Sequence, residues 1–202
     1  MHRRHEGEVS GAAYSTTMNP SVEPINKISS PKLPSVFKRR RVFKLLDDAR
    51  RHPVIWTSAP AGAGKTTLIA SYLESLSLNC LWYQIDPRDG DPANFFHYLK
   101  LAVRQATPRK RKSIPSFNTQ FMPGIDDFAL RFFEAVYQCL PKPIAIVLDN
   151  YQQIKPESPT QRIISCGLSI LPQEISSIVI SRERPTAQFS RLLANRKMIQ
   201  IG

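Results

Sequence analysis

The sequence of 202 residues has little cysteine and no long apolar run. Its three cysteines, Cys80, Cys139 and Cys166, are odd in number and widely spaced, which excludes a disulfide framework and a CxxC metal site and indicates reduced packing residues. No apolar run approaches the roughly 18 to 20 residues that a membrane helix needs, and the basic N-terminus lacks the apolar region of a signal peptide. We therefore expect a cytoplasmic protein.

Glycine and acidic residues are also scarce. Eight glycines against 17 prolines indicate that part of the chain is extended linker, whereas 42% hydrophobic and 22% charged residues exclude a fully disordered or collagen-like chain. Because 28 basic residues face 16 acidic ones, the formal net charge is +12. Such a balance favours polyanionic partners, namely nucleic acid, nucleotides or an anionic surface, and does not choose among them.

The apolar pattern divides the chain into a tail and one α/β domain. Residues 1–31 have no apolar period, so we expect a disordered tail before a domain over residues 32–202. In the domain, short apolar runs alternate with segments of helical period, and residues 107–124 interrupt the alternation as a surface loop or a poorly ordered insertion. The predicted strands are 54–58, 80–86, 144–149, 176–181 and 198–201. This alternation predicts an open, mainly parallel five-stranded sheet with helices on both faces.

The segment APAGAGKTT, residues 59–67, follows the first strand and opens the next helix. It matches the phosphate-binding loop pattern GxxxxGK[ST], with Ala59 in place of the first glycine. Small residues let successive backbone N–H groups curl around an anion at a helix N-terminus, where Lys65 would reach the β- and γ-phosphates and the Thr66 hydroxyl would bind Mg²⁺. The predicted nucleotide-binding residues in this loop are Ala61, Gly62, Ala63, Gly64, Lys65, Thr66 and Thr67.

Two residues at predicted strand ends are candidates to complete this site. Asp149 ends a buried strand, where P-loop proteins hold the magnesium ion, so we predict it as a metal and catalytic residue beside Lys65. Asn150 follows where many ATP-hydrolysing proteins of this architecture carry a second acid, and an amide cannot take a proton from water. Binding is thus better supported than hydrolysis. Arg182 ends the next strand as either a γ-phosphate sensor or a surface arginine.

Five segments in this order resemble one family. They are PKLPSVFKRRRVFKLL, which contains Arg39; the phosphate loop TSAPAGAGKTT; LWYQIDPRDGDPANFFHYL, which contains Asp86, Asp89 and Asp91; IVLDNYQQI; and VISRERP. Together they are similar to the ATP-binding domain of the large LuxR-type transcriptional activators of the maltose-regulon activator (MalT) kind, which belong to the STAND class of signalling NTPases.

The resemblance implies a module that binds ATP or ADP with Mg²⁺, with Arg39 among the nucleotide-binding residues. It also implies a switch, in which ATP favours a self-associating active form and ADP a resting monomer. Asn150 and Gln152 stand where the family usually has Asp and His, which predicts weak or absent hydrolysis. The family continues through a lid, a helical-repeat domain and a helix-turn-helix, for which residues 32–202 have no room, so direct DNA binding by that route is not expected.

Three other interpretations stay open on the sequence alone. The basic runs 38–41 and 109–112 would form the surface of a polyanion-binding protein. A P-loop also serves small-molecule kinases, and the run 109–112 would then belong to a lid over the acceptor. The chain would otherwise be a truncated gene product with no independent activity.

Overall fold

Five parallel strands form one sheet in the order β2-β3-β4-β1-β5. The computed structural model describes residues 26–31, 33, 39–108 and 113–202. The strands are β1 Val54–Ser58, β2 Cys80–Gln84, β3 Ile144–Asp149, β4 Ile175–Ser181 and β5 Met198–Ile201. The helices are α1 Arg40–Ala49, α2 Lys65–Ser75, α3 Pro92–Ala106, α4 Ile125–Cys139, α5 Pro159–Ser169 and α6 Ser190–Ala194. The predicted α/β class with a five-stranded parallel sheet is confirmed.

Two hydrophobic cores cover the two faces of the sheet. Because side chains alternate along a strand, Val54 and Trp56 of β1 enter the larger core, whereas Ile55 enters the smaller one. The larger core packs α3, α4, α5 and α6 against the sheet, and the smaller core packs α1 and α2. All six residues of β3 are buried, as expected of a central parallel strand covered on both faces.

Helix starts follow local signals in the sequence. The Asp91 carboxylate accepts a hydrogen bond from the N–H of Ala93 at the start of α3, and the Ser158 hydroxyl accepts one from the N–H of Thr160 at the start of α5. Proline is the first residue of both helices, where its missing N–H costs no helical hydrogen bond. No helix in the described part of the chain is long and apolar enough to cross a membrane.

Residues 113–124 make core contacts that the sequence did not predict. The segment after the undescribed residues 109–112 packs on the larger core: Ile114 is buried and the Phe117 ring stacks on Phe96 with centroids 5.1 Å apart. A 3-10 helix follows at Thr119–Gly124 and leads into α4. Most of residues 113–124 are exposed, which agrees with the predicted surface loop, whereas Ile114 and Phe117 anchor the segment to the core because burial of apolar side chains is favourable. The basic run 109–112 and Lys38 lie outside the described residues.

The end of the predicted tail also belongs to the folded domain. Asn26–Ile28 forms a 3-10 helix, and Ile28 is buried in the larger core. The ammonium of Lys27 lies 2.8 Å from Oδ2 of Asp86 and 2.7 Å from Oδ2 of Asp89. The buried Ile28 side chain and the two ion pairs of Lys27 hold this segment to the domain. The polar composition of residues 1–31 as a whole gives no sign of these contacts. Residues 1–25 lie outside the described residues.

The topology opens a crevice at the carboxyl ends of β1 and β4. The connection that leaves β1 runs through α2 on the face of the smaller core, whereas the connection that leaves β4 runs through α6 on the other face. Neighbouring strands whose connections leave on opposite faces create the crevice in which open α/β sheets bind ligands. The loop after β1 and the loop after β4 therefore meet at one place.

Candidate nucleotide site

The loop between β1 and α2 has the backbone of an anion cradle. Gly62 and Gly64 adopt left-handed conformations with φ of +77° and +76°, and α2 begins directly afterwards at Lys65. A Cβ atom at Gly62 would meet no atom within 4 Å, so glycine stands there for its backbone and not for lack of space. This turn places the first N–H groups of an eleven-residue helix at the carboxyl end of β1.

The Lys65 side chain folds back over this loop. Its Nζ atom donates hydrogen bonds to the carbonyl oxygens of Ala59 at 2.6 Å and Pro60 at 2.9 Å. Burial lowers the pKa of Lys65, and the nearby Arg182 guanidinium lowers it further, whereas Asp149 opposes both effects. Two cationic side chains thus converge on the same small region, where an anion would relieve their repulsion.

Thr66 and Asp149 meet at the start of α2. The Thr66 hydroxyl donates to the carboxylate of Asp149, with distances of 3.1 Å to Oδ1 and 3.0 Å to Oδ2. Asp149 is only 2% exposed, and burial raises its pKa, an effect that the hydrogen bonds from Thr66 and from the N–H of Asn150 oppose. A hydroxyl and a carboxylate side by side are the hard oxygen donors that Mg²⁺ prefers, so these two residues fit the metal.

A cavity of about 270 Å³ lies beside the loop. Its lining consists of Ala61, Gly62, Gly64, Lys65, Thr66, Asn150, Gln152, Ile180 and Arg182. The backbone N–H of Arg182 donates to Oε1 of Gln152 at 3.1 Å, which joins the ends of β3 and β4. The structure therefore brings Arg182 to the phosphate loop. In the sequence, Gln152 stands out only as a departure from the family pattern. Knowledge that β3 and β4 are neighbouring strands would have placed Gln152 at this cavity.

The other predicted binding residues lie around the same loop. The Nη2 atom of Arg39, the residue before α1, is 3.8 Å from the position of a Cβ atom at Gly64. Ala63 lies in the turn, where its N–H donates to the Pro60 carbonyl at 3.4 Å, and Thr67 lies in the first turn of α2. Every residue predicted from the sequence for this site is thus near the loop, although four of them do not line the cavity: Arg39, Ala63, Thr67 and Asp149.

Known proteins are similar to this chain in sequence. No family model matches the chain. The chain is 28% identical over 184 residues to the HTH-type transcriptional regulator MalT of Cronobacter sakazakii and 28% identical over 187 residues to that of Vibrio cholerae. Its sequence is therefore similar to that of MalT, and its phosphate loop and parallel sheet are typical of a P-loop NTPase domain. Each alignment covers 88% of this chain and 20% of the relative, so the MalT-like domain spans one fifth of the length of these proteins.

The fold of this MalT-like domain also has similarity to solved structures. The structure of the Aeropyrum pernix ORC1 protein in complex with DNA gives a TM-score of 0.49 at 15% identity and covers 83% of this chain and 46% of that one.

The aspartates in and just before the acidic DGDP segment, residues 89–92, stabilise the local structure of the MalT-like domain. Asp86 accepts a hydrogen bond from the N–H of Arg88 at the start of a 3-10 helix, Pro87–Gly90, and Asp91 caps α3. Asp89 is fully buried, accepts a hydrogen bond from the Tyr83 hydroxyl and forms an ion pair with Lys27. These aspartates therefore fix the segment that follows β2 and are not part of the phosphate loop.

Proposed function

We propose that this domain binds ATP with Mg²⁺ and acts as the nucleotide-dependent switch of a MalT-type, STAND-class transcriptional regulator in the cytoplasm. The proposal rests on one observation, which is that three features of a nucleotide site lie together in the structure. The left-handed turn at Gly62 and Gly64, the Lys65 ammonium and the contact of Thr66 with Asp149 all lie at the carboxyl end of β1. These are the parts that hold a polyphosphate and its metal ion.

Phosphate binding needs one rearrangement of a side chain. Lys65 now donates to the carbonyl oxygens of Ala59 and Pro60, which are neutral acceptors. A β- or γ-phosphate oxygen is a charged acceptor, and hydrogen bonds to charged groups are roughly twice as strong as those between neutral groups. The ammonium therefore moves to the phosphate when ATP enters, while the N–H groups of the loop and of α2 hold the remaining oxygens.

The metal ion would lie between Thr66 and Asp149. Bound there, Mg²⁺ would neutralise charge on the phosphate oxygens. It would also stabilise the ionised form of Asp149, whose pKa is raised by burial. The present hydrogen bond between the hydroxyl and the carboxylate, at 3.0 Å, keeps both oxygen donors together in advance of the ion.

Hydrolysis is slow or absent in this proposal. Neither Asn150 nor Gln152, which line the cavity, can accept a proton from an attacking water, and among the residues that the structure describes no carboxylate lines it with them. Switching then depends on which nucleotide occupies the site, because a ligand shifts an equilibrium only through its different affinities for the two states. We expect the ATP form to associate with a second copy or with other domains of the regulator.

Calorimetric titration with ATP and Mg²⁺ tests this proposal. The wild-type chain is expected to bind, and Lys65→Ala is expected to bind at least about tenfold more weakly, because it loses charged hydrogen bonds to phosphate. Lys142→Ala is the matched control, since it removes the same charge immediately before β3, at the opposite end of the sheet. No heat with any purine triphosphate, or equal binding by Lys65→Ala, contradicts the proposal.

A further inference from the structure

The orientation of the Gln152 side chain is fixed by a backbone donor. The N–H of Arg182 can only donate, so the atom of Gln152 that lies 3.1 Å from it must be the carbonyl Oε1. The amide nitrogen Nε2 is then the atom directed at Asn150, and it lies 3.5 Å from Oδ1, at the long end of the hydrogen-bonding range. The orientation of the Gln152 side-chain amide thereby determines the orientation of the Asn150 side-chain amide.

Asn150 is held at its other end as well. Its backbone adopts a left-handed conformation with φ of +60°, which asparagine tolerates better than most residues, and its N–H donates to Oδ1 of Asp149 at 2.8 Å. Because Oδ1 of Asn150 accepts from Gln152, the terminal atom left to serve the cavity is Nδ2, which carries two hydrogens. A donor thus replaces the acid that a hydrolytic site would need.

We propose that Asn150 and Gln152 form an amide relay that reads the terminal phosphate of ATP. This inference rests on the proposed function. Nδ2 of Asn150 donates to a γ-phosphate oxygen, and Gln152 is a positioning residue that keeps this amide in the donating orientation. Through Oε1 it also ties the amide to the main chain of Arg182, whose guanidinium lies at the same cavity.

The relay makes the site selective for triphosphate over diphosphate. ADP has no γ-phosphate to accept from Asn150, so loss of the relay lowers the affinity for ATP and leaves that for ADP unchanged. The relay also extends a chain of contacts that begins at the metal residues: Thr66 donates to Asp149, which accepts from Asn150, which accepts from Gln152, which accepts from Arg182. A terminal phosphate bound at its middle therefore influences both the metal side and the end of β4.

Gln152→Met is the sharpest test, because methionine keeps the length of the side chain and removes both hydrogen bonds. Dissociation constants are measured for a non-hydrolysable ATP analogue and for ADP, both with Mg²⁺, on the 202-residue chain. The expected result is a loss of about tenfold for the analogue and less than twofold for ADP, since one hydrogen bond to a charged group is affected. Gln153→Met, on the next and half-buried residue, is the matched control and should change neither value.

A double-mutant cycle separates the relay from a merely structural role. Asn150→Gly removes the amide and still adopts the left-handed backbone, so it should weaken binding of the analogue as Gln152→Met does, and Gln152→Met should add less than twofold in that background. Equal effects on analogue and ADP, or independent effects of the two changes, overturn the relay and leave the proposed function standing. A wild-type chain that binds neither nucleotide overturns both.

Discussion

Lys27 offers the most informative test of how the first described segment is held to the domain. Its side chain is only 9% exposed and pairs with Asp86 at 2.8 Å and with the fully buried Asp89 at 2.7 Å. Its ammonium also lies over the rings of Tyr98 and Tyr83, at 4.7 and 5.4 Å from their centroids. Lys27→Met retains the apolar stem and removes the charge, so it leaves a buried carboxylate without its cation.

The expected loss of stability follows from what Asp89 retains. Breaking a buried ion pair costs about 3 to 5 kcal/mol when the remaining charge is uncompensated. Here Asp89 keeps hydrogen bonds from the N–H of Asp86, the Tyr83 hydroxyl and the Asn94 amide, at 2.7 to 2.9 Å. Asp86 keeps its pair with the Arg88 guanidinium at 2.8 Å. We therefore expect Lys27→Met to cost about 2 to 3 kcal/mol, at or just below the lower limit of that range.

Thermal and denaturant unfolding measure this loss. For a domain of this size, about 2 to 3 kcal/mol corresponds to a fall in Tm of roughly 4 to 12 °C. Lys142→Met is the control, because its pair with Glu174 is exposed and 3.7 Å long, and should cost below about 1 kcal/mol. Lys27→Met combined with Asp89→Asn should cost clearly less than the sum of the two single changes. Additive losses, or a Lys27→Met protein as stable as the control, would refute the reasoning.

Three further predictions concern the site, the core and acid stability. Asp149→Asn should raise the Tm of the nucleotide-free protein and abolish the Mg²⁺ dependence of nucleotide binding, because burial raises the pKa of Asp149 and disfavours its ionised form in the folded state at neutral pH. Gly167→Ala should cost about 1 to 3 kcal/mol in urea unfolding, since its Cβ would lie 2.5 Å from the Phe133 ring; Gly124→Ala, where a Cβ meets nothing within 4 Å, is the control. The pKa of Asp86 is lowered, chiefly by its hydrogen bond with Arg88, so its contribution to stability is complete above the ordinary aspartate pKa and lost as pH falls below it. The difference in Tm between wild type and Asp86→Asn should therefore shrink on acidification, and a constant difference would contradict this.

The strands and the phosphate loop were predictable because their signals are local. An uninterrupted apolar run such as β3 is buried wherever the sheet places it, and the glycines at positions 62 and 64 specify a turn before α2 without help from the rest of the chain. Asp149 was predictable for a related reason: carboxyl ends of parallel strands lie at the same edge of a sheet. Local chemistry and a topological rule were therefore enough to bring Thr66 and Asp149 together.

Other contacts depend on tertiary neighbours that no window of sequence contains. Lys27 is ordered by carboxylates about 60 residues further along the chain, and Phe117 by the Phe96 ring. The contact of Gln152 with Arg182 needs both the adjacency of β3 and β4 and the direction of one backbone N–H. Pairing of this kind depends on the register between elements, which the apolar period leaves undetermined.

Two unfavourable features lie next to each other at the end of β3. Asp149 is a buried carboxylate whose pKa is raised, and Asn150 directly after it adopts a left-handed backbone. Ser77 and Arg196 also adopt left-handed backbones, but both residues are exposed. The buried Asp89, in contrast to Asp149, has three hydrogen-bond donors and an ion pair with Lys27. Strain and desolvation persist in folded proteins where the surrounding structure over-determines them, and they cluster at functional sites. In the proposed function, a metal ion at Asp149 and a phosphate at Asn150 would compensate both costs, so we expect the response to nucleotide at this strand end and not at the acidic DGDP segment.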